Sequence, residues 1–501
     1  MTLLLGIDLG TSSVKTVVFD PHQSQIVAVA AQEYPLDKPQ PDRAEQNPET
    51  WWQATVETVR RATSSLDRQD IAAISFSGQM HGTLLLDAHN QPLHPAIIWA
   101  DQRSAAACQT LIDTVGAERY IATTGTLPAV GFMGATLVWL AENASDLLEQ
   151  THSVIFPKDY LRLRLTGQVA TDISDAAGSG VFDIHQQRWA ADILSKVGLP
   201  LDCFPDVLPS TEVAGHLTTQ AAAALDLPPG IPIVAGCADQ PAQAIGNGLI
   251  APGQASVTTG SGGQVFTPIQ LDPHQNQTDP GLHVFSHAVP GLAYILGAIL
   301  SAGLSLRWLR DMTGLTSTPQ AYAILSSEAE AVPPGAEGLI FLPYLSGERT
   351  PHRDPLARGG FIGLTHFHQR GHLARAVMEG VSMAMRQALA LSLSLGGQVD
   401  TIIAAGGGAE SIVWRQIQAD LFGLPLQQSL LTEQAGVGAA LLAGVGAEVY
   451  PDLPEACAQV VRYGPPTHPD AARHQRYNDL YARFTELYPR LKNDFHWLAT
   501  F

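Results

Sequence analysis

The sequence predicts an α/β fold in two domains of similar size, residues 1–246 and 247–501, and three observations predict it. At 501 residues the chain is too long for one hydrophobic core, which stops growing near about 250–300 residues. Short apolar, β-branched runs alternate with stretches of helical periodicity, so strands and helices take turns. A hairpin rich in glycine and hydroxyl residues occurs twice, half a chain apart, as a duplicated domain would give.

Residues 3–7 (LLLGI) form an apolar strand, residues 8–13 a small polar turn, and residues 14–19 a β-branched second strand. Residues 48–63 open on Pro48 and carry apolar side chains at helical spacing. Residues 71–76 (IAAISF) read as a strand ending at Ser77-Gly78. Residues 231–236 (IPIVAG) form another short buried strand, which delivers Cys237, Ala238, Asp239 and Gln240 at its end. From Gln240 to Leu271 there is no charged residue, and Pro252-Gly253 is the best turn signal for a boundary, placed near residue 247. The second hairpin is residues 255–259 (ASVTT), Gly260-Ser261-Gly262-Gly263, and residues 264–266 (QVF). Residues 291–306 are the greasiest stretch, too short to span a membrane, and are expected as a buried helix. Residues 473–492 are expected as a terminal surface helix.

Composition narrows the function. Forty-seven acidic against 28 basic side chains give a net charge of −19, which repels nucleic-acid phosphates. Only five lysines occur, so phosphate chemistry must rest on backbone N–H groups, glycine loops and metal. The four cysteines stand far apart, which argues against zinc or disulfide frameworks and fits a reducing cytoplasm. The N-terminus lacks a basic region and meets Asp8 early, so no signal peptide is expected, and neither is a membrane partner.

A Walker loop is absent, because no lysine follows a glycine, and so is the G-x-S-x-G elbow. Gly436-Val437-Gly438 lacks the third small residue of a dinucleotide fingerprint. What remains is the pair of hairpins and the run Gly406-Gly407-Gly408. Glycines admit close backbone approach, and successive N–H groups make a concave anion site that hydroxyls extend, which suits polyphosphate. Asp8, at a strand end, could hold Mg²⁺ through water; an ordinary turn aspartate is the alternative. Asp239 opens the charge-free stretch and reads as a general base in a cleft, as a helix cap, or as both. His81 in SGQMHG reads more readily as structural than as a working group. Trp99, Asp101 and Arg103 combine an aromatic with an acid and a base, suited to a polyol or to a plain ion pair. The three histidines of residues 365–372 lack nearby ligands for a metal, and the loop SGERTPH, residues 346–352, carries hydroxyls and charge.

Taken in order, GIDLGTSSVK, SGQMHG, WADQR, FPKDYLRLRLTG, SDAAG, AGCADQ, YLSGERTPH, GLTH and GGGAES-x-x-WRQ-x-x-AD resemble the FGGY carbohydrate kinase family from Gly6 to about Gly446. The resemblance implies two actin-like (ribonuclease-H-like) ATPase domains flanking a deep cleft, with ATP, Mg²⁺ and a small-molecule sugar as partners. It implies phosphorylation of D-xylulose to D-xylulose 5-phosphate in the cytoplasm. Another ketose or polyol (ribulose, glycerol) is an alternative, as is a regulator that binds without catalysis. Asp239 becomes the proton acceptor, Asp8 the acid near metal and phosphate, and Met80 and His81 sugar contacts, with Trp99, Asp101, Arg103 and Gln240 as further candidates. Thr11, Ser12, Ser13, Gly260, Ser261 and Gly262 become phosphate-loop residues, while Gly407 and Gly408 lie against the adenosine. Gln240 stands where Asn often follows the catalytic Asp. A cleft enzyme of this kind is expected to hinge near residues 246–253. Oligomeric state is not fixed by the sequence; a homodimer is one option.

Overall fold

The computed structural model describes residues 2–271, 279 and 281–501. The first half opens with β1 (Leu3–Leu9), β2 (Ser13–Asp20) and β3 (Gln25–Glu33), followed by helix α1 (Pro48–Thr63) and β4 (Ile71–Gly78). Helix α1 starts where Asn47 accepts from the Glu49 N–H and Pro48 takes a first-turn position, where its missing N–H costs nothing. After it come helices α2 (Pro157–Thr166) and α3 (Ile173–Gly178), then β5 (Val213–His216), β6 (Pro232–Val234), β7 (Cys237–Ala238) and helix α4 (Asp239–Gly246). These strands form one sheet in the order β5-β6-β4-β1-β2-β3, with β7 pairing the end of β4. β1, β2 and β3 are antiparallel, while β4 runs parallel to β1.

The second half repeats the plan. It comprises β8 (Gly253–Thr259), β9 (Gly263–Gln270), β10 (His283–Ser286), β11 (Leu292–Ile299), helix α5 (Gly303–Met312), helix α6 (Arg370–Ser394), β12 (Val399–Ala405), helix α7 (Ile412–Phe422) and β13 (Leu426–Gln428). Its sheet runs β10-β11-β9-β8-β12-β13, again with an antiparallel hairpin, a third antiparallel strand beside it and a parallel strand on the other side. The loop after β4 (Gln79-Met80-His81) and the loop after β12 (Gly406-Gly407-Gly408) therefore hold equivalent places.

Residues 291–306 correct the sequence expectation. They are not one helix: Leu292–Ile299 is a strand buried between β9 and β10, and the helix begins only at Gly303. The run is apolar on both sides, so it has no period by which a strand can be told from a helix, and its alternation with β9 decides. Two helices then cross back. α8 (Gln434–Gly446) and α9 (Leu453–Val460) leave the second sheet and pack against the first. Val437, Ala440 and Leu441 join Leu4, Val17, Phe19 and Ala73 in one buried cluster with Ala242 and Ile245 of α4. The glycines rejected as a dinucleotide loop make this crossing possible: a Cβ on Gly6 would meet the Gly436 carbonyl at 1.9 Å, and one on Gly438 the Ala242 carbonyl at 2.0 Å. Helix α10 (Ala471–Leu498) then lies on the second half, burying Tyr477, Phe484, Tyr488 and Phe495. Among the described residues no helix is long and apolar enough to cross a membrane.

Candidate active site

The first hairpin and the end of β4 lie beside Asp239. In the first sheet both Asp8 of β1 and Cys237 of β7 stand opposite Ser77 of β4, one on each side, so the two strand ends bring Asp8 and Asp239 close together. Ser77 Oγ donates to Asp8 at 2.8 Å. Both carboxyls are half-buried. Burial lifts Asp239 to about 7, and the charge of Asp8 adds to the rise, while bonds from Gln240 oppose it. Burial also raises Asp8, against the pull of Ser77 and Lys15. Asp239 is the first residue of α4, one place inside the cap position, which Ala238 occupies.

A buried network fixes that strand end. Lys158 of α2 reaches Asp159, Asp172 and Asp175 at 2.8, 2.8 and 3.0 Å, all with fully buried side chains. Asp172 accepts from Ser174 Oγ at 2.7 Å and Ser210 Oγ at 2.8 Å, and Ser174 Oγ in turn accepts the Ala238 N–H at 3.0 Å. Burial pushes Asp175 well above the usual carboxylate range, whereas Lys158 and Arg162 hold Asp159 below it. Lys158, Asp159, Ser174 and Asp175 lie in the FPKDYLRLRLTG and SDAAG segments, but no spacing in the sequence joins them into one network.

His81 adopts φ +72°, a left-handed backbone rare for a non-glycine residue and typical of functional loops. Its ring stacks on Phe132 with centroids 3.8 Å apart, and its Nδ1 lies 2.7 Å from the Gly178 carbonyl. A carbonyl only accepts, so Nδ1 carries the proton and Nε2 is left as an acceptor; burial lowers the pKa to about 4 and keeps the ring neutral. Met80 is buried and touches the Tyr294 hydroxyl through sulfur at 3.8 Å. Phe132, His283, Phe285 and Tyr294, which sequence reading did not assign to the site, form the aromatic wall around His81 and Met80. His283 and Tyr294 belong to the second half, so this wall is also where the halves meet, with His283 Nδ1 2.6 Å from Thr126 Oγ1 and the Val284 N–H donating to the Gly125 carbonyl at 2.9 Å.

At the first hairpin the Gly10 N–H donates to the Ser13 carbonyl at 3.0 Å. Thr11 Oγ1 accepts from the Trp99 indole N–H at 2.8 Å and donates to Gln79 at 3.2 Å, so Trp99 sits over this hairpin, 42% exposed. Asp101 and Arg103 engage one another and the strand that carries Glu45. They are buried and bonded to one another at 2.8 Å, to Glu45 at 2.5 Å and to the Ala44 N–H at 2.7 Å. That is the ion-pair alternative, and it braces the loop that presents Trp99.

The second hairpin is latched to the start of α5: Gly303 N–H donates to the Gly260 carbonyl at 2.8 Å, and the N–H groups of Ala302 and Leu304 to the Ser261 carbonyl at 2.9 and 3.0 Å. Beside it lies a cavity of about 860 Å³, lined by Gly260, Ser261, Arg307, Tyr322, Gly407 and Gly408 among others. A Cβ on Gly407 would meet nothing within 4 Å, whereas one on Gly408 would strike Thr259 at 2.5 Å. The cavity has the size of a nucleotide site. The histidines of residues 365–372 instead cap α6: His368 Nδ1 accepts from Thr365 N–H at 3.0 Å and His372 Nδ1 from Gln369 N–H at 3.1 Å. Among the described residues no three His, Cys, Asp or Glu side chains group to hold a metal.

The site thus comprises two glycine and hydroxyl hairpins, a cavity beside the second and a carboxyl beside the first that titrates at about 7. The N-terminal model of the FGGY family of carbohydrate kinases matches residues 3–246, and its C-terminal model matches residues 255–447. The chain belongs to the FGGY family of carbohydrate kinases. It is 36% identical to the xylulose kinase of Escherichia coli strain K12 over 98% of this chain and 99% of that protein. It is 34% identical to the xylulose kinase of Bacillus subtilis strain 168 over 98% of each. Among solved structures, xylulose kinase from Rhodospirillum rubrum superposes with a TM-score of 0.92 at 30% identity, covering 99% of this chain and 100% of that one. The fold is thus that of an actin-like sugar kinase, and the family uses ATP to phosphorylate sugars.

Proposed function

We propose that this FGGY kinase transfers the γ-phosphoryl group of ATP to D-xylulose, giving D-xylulose 5-phosphate, with Asp239 as general base. The observation that carries the base assignment is the pKa of Asp239, raised to about 7 beside Asp8, since a base works best when it titrates near the operating pH. The full-length similarity to xylulose kinases supports the sugar. In this reading residues 1–246 hold the sugar and residues 247–501 the nucleotide, the return of α8 and α9 notwithstanding. Adenosine occupies the cavity against Gly407 and Gly408, and the N–H and hydroxyl groups of Thr11, Ser12, Ser13, Gly260, Ser261 and Gly262 receive the phosphates. The neutral His81 accepts from a sugar hydroxyl through Nε2, Met80 gives an apolar wall, and Gln240 and Trp99 complete the rim. The C5 hydroxyl passes its proton to an Asp239 oxygen as its oxygen attacks phosphorus; positioning supplies most of the acceleration.

Mg²⁺ fits the residues present. Asp8 is a half-buried carboxyl with one oxygen engaged by Ser77, and Mg²⁺ asks for one or two carboxylates, water and phosphate oxygens. Held there by Asp8, it would neutralise charge on the phosphates.

An ATP-consumption assay with D-xylulose, D-ribulose and glycerol tests the reading. The highest kcat/KM is expected for D-xylulose, since a site built for hydroxyls rejects analogues lacking them; comparable turnover of glycerol would remove the sugar assignment. In D239N, kcat is expected to fall by about 10²–10⁴ while sugar and ATP binding stay within about tenfold of wild type. Wild-type turnover with intact binding would remove Asp239 as the base.

A further inference from the structure

The YLSGERTPH loop has no part in the reaction above, yet it holds an exposed charged side chain, Arg349, between two buried neighbours. Arg349 is exposed and, among the described residues, forms no ion pair. Both of its neighbours are buried and tied down. Glu348, 2% exposed, takes the N–H groups of Leu300 and of Arg349 itself on one oxygen, at 3.1 and 2.8 Å. Among the described residues its other oxygen has no partner, and burial lifts this carboxyl to about 8. Thr350, fully buried, accepts the Ala298 N–H at 3.0 Å and donates to the Gly281 carbonyl at 2.9 Å. A buried acid with an orphan oxygen weakens a fold, so this arrangement serves placement more than stability. What it places is Arg349, at the end of β11 and beside β10.

That edge of the second sheet carries His283, and the ring chain His283, Phe132, His81 leads from it into the first half, with centroid steps of 5.7 and 3.8 Å. The charge of Arg349 reaches both imidazoles and presses both further toward neutrality. The loop also spans the halves directly, since Arg353 donates to the Pro128 carbonyl at 3.4 Å. In the proposed site His81 Nε2 and Asp239 are acceptors. A ketose brings hydroxyls that can donate to these groups, but its carbonyl oxygen only accepts and needs a donor.

We infer that Arg349 is a sugar-binding residue contributed by the second half, its guanidinium donating to the carbonyl and neighbouring oxygens of the sugar on the side of His81. The sugar site is then complete only with residues from both halves, and sugar occupancy ties the second half to the first. The inference rests on the sugar-kinase reading above.

The test is sugar binding by calorimetry without nucleotide, together with steady-state kinetics, for wild type, R349M and R349K. Methionine keeps the length of the side chain and removes every donor; lysine keeps the charge but not the fork. R349M is expected to weaken D-xylulose binding and raise its KM by about 10–100-fold, the range of a hydrogen bond to a charged group, with the KM for ATP within about threefold. R349K should fall between. Sugar affinity within about twofold of wild type in R349M overturns the inference, and so does a loss confined to kcat and the KM for ATP, which would put the guanidinium on the phosphoryl group. Wild type separates the two readings. If it phosphorylates another sugar of the panel instead of D-xylulose, the same comparison is made with that sugar; if it phosphorylates none, the kinase reading fails and this one with it.

Discussion

Gly438 sits on α8 where that helix crosses α4 at Ala242, three residues after Asp239. Adding a methyl group there by Gly438→Ala puts a Cβ 2.0 Å from the Ala242 carbonyl oxygen, where real Cβ contacts essentially never fall under 3.0 Å, so the helices must part by about 1 Å. The neighbour is backbone and cannot rotate away. Overpacking of this kind costs about 1–3 kcal/mol. Alanine in a helix interior returns about 1 kcal/mol over glycine, so a small net loss of stability is expected. The larger effect is on catalysis. Ala242 and Asp239 share the first turn of α4, and a displacement of about 1 Å at the chemistry costs on the order of 10²-fold in rate. Urea unfolding and steady-state kinetics read both quantities. G438A with unchanged kcat and stability equal to wild type or better would refute the idea that this crossing sets the position of the base.

Four further outcomes follow. Below pH about 7, kcat/KM should drop roughly tenfold per unit as Asp239 takes up its proton, and the limb should vanish from the residual activity of D239N; a flat wild-type profile between pH 5 and about 7 would exclude Asp239. The same raised pKa has a stability sign: the folded state binds the proton more tightly than the unfolded chain, so this group's contribution declines as pH rises from the ordinary carboxylate range to about 7 and stays low above it, a slope that D239N should remove from urea midpoints. Lys158→Met strands three buried carboxyls and should cost about 3–5 kcal/mol in urea unfolding; a near-neutral result would mean the acids are neutral without the lysine. Chelation with EDTA should abolish ATP consumption, with Mg²⁺ restoring it; full activity in excess chelator would remove the metal from Asp8.

The elements that punctuation and period define were legible in the sequence. Pro48 and the apolar spacing behind it gave α1 its bounds, and the glycines and hydroxyls of residues 8–13 and 260–263 gave both hairpins. Asp239 stood out because a lone charge in an apolar stretch is conspicuous. The strand at 292–299 was not legible, because a run apolar on both faces has no period. Asp101 and Arg103 attracted notice for their chemistry, yet what decides their role is Glu45, far away in the chain. The aromatic wall escaped for the same reason, since Phe132 and His283 come from opposite halves and neither segment has a pattern that points to the other.

The return of α8 and α9 onto the first sheet bears on how the protein is made. Leu4, Val17, Phe19 and Ala73 leave the ribosome long before the helices that cover them, which end at Val460. At about 5–20 residues per second, the roughly 200 residues between α4 and α8 take about 10–40 s to synthesise. Throughout that interval the nascent first sheet has an uncovered greasy face, the state in which emerging chains aggregate or are taken up by chaperones. A fragment cut after residue 246 would carry the same bare face permanently. On its own the first half lacks the cover that the later helices supply to one face of its sheet.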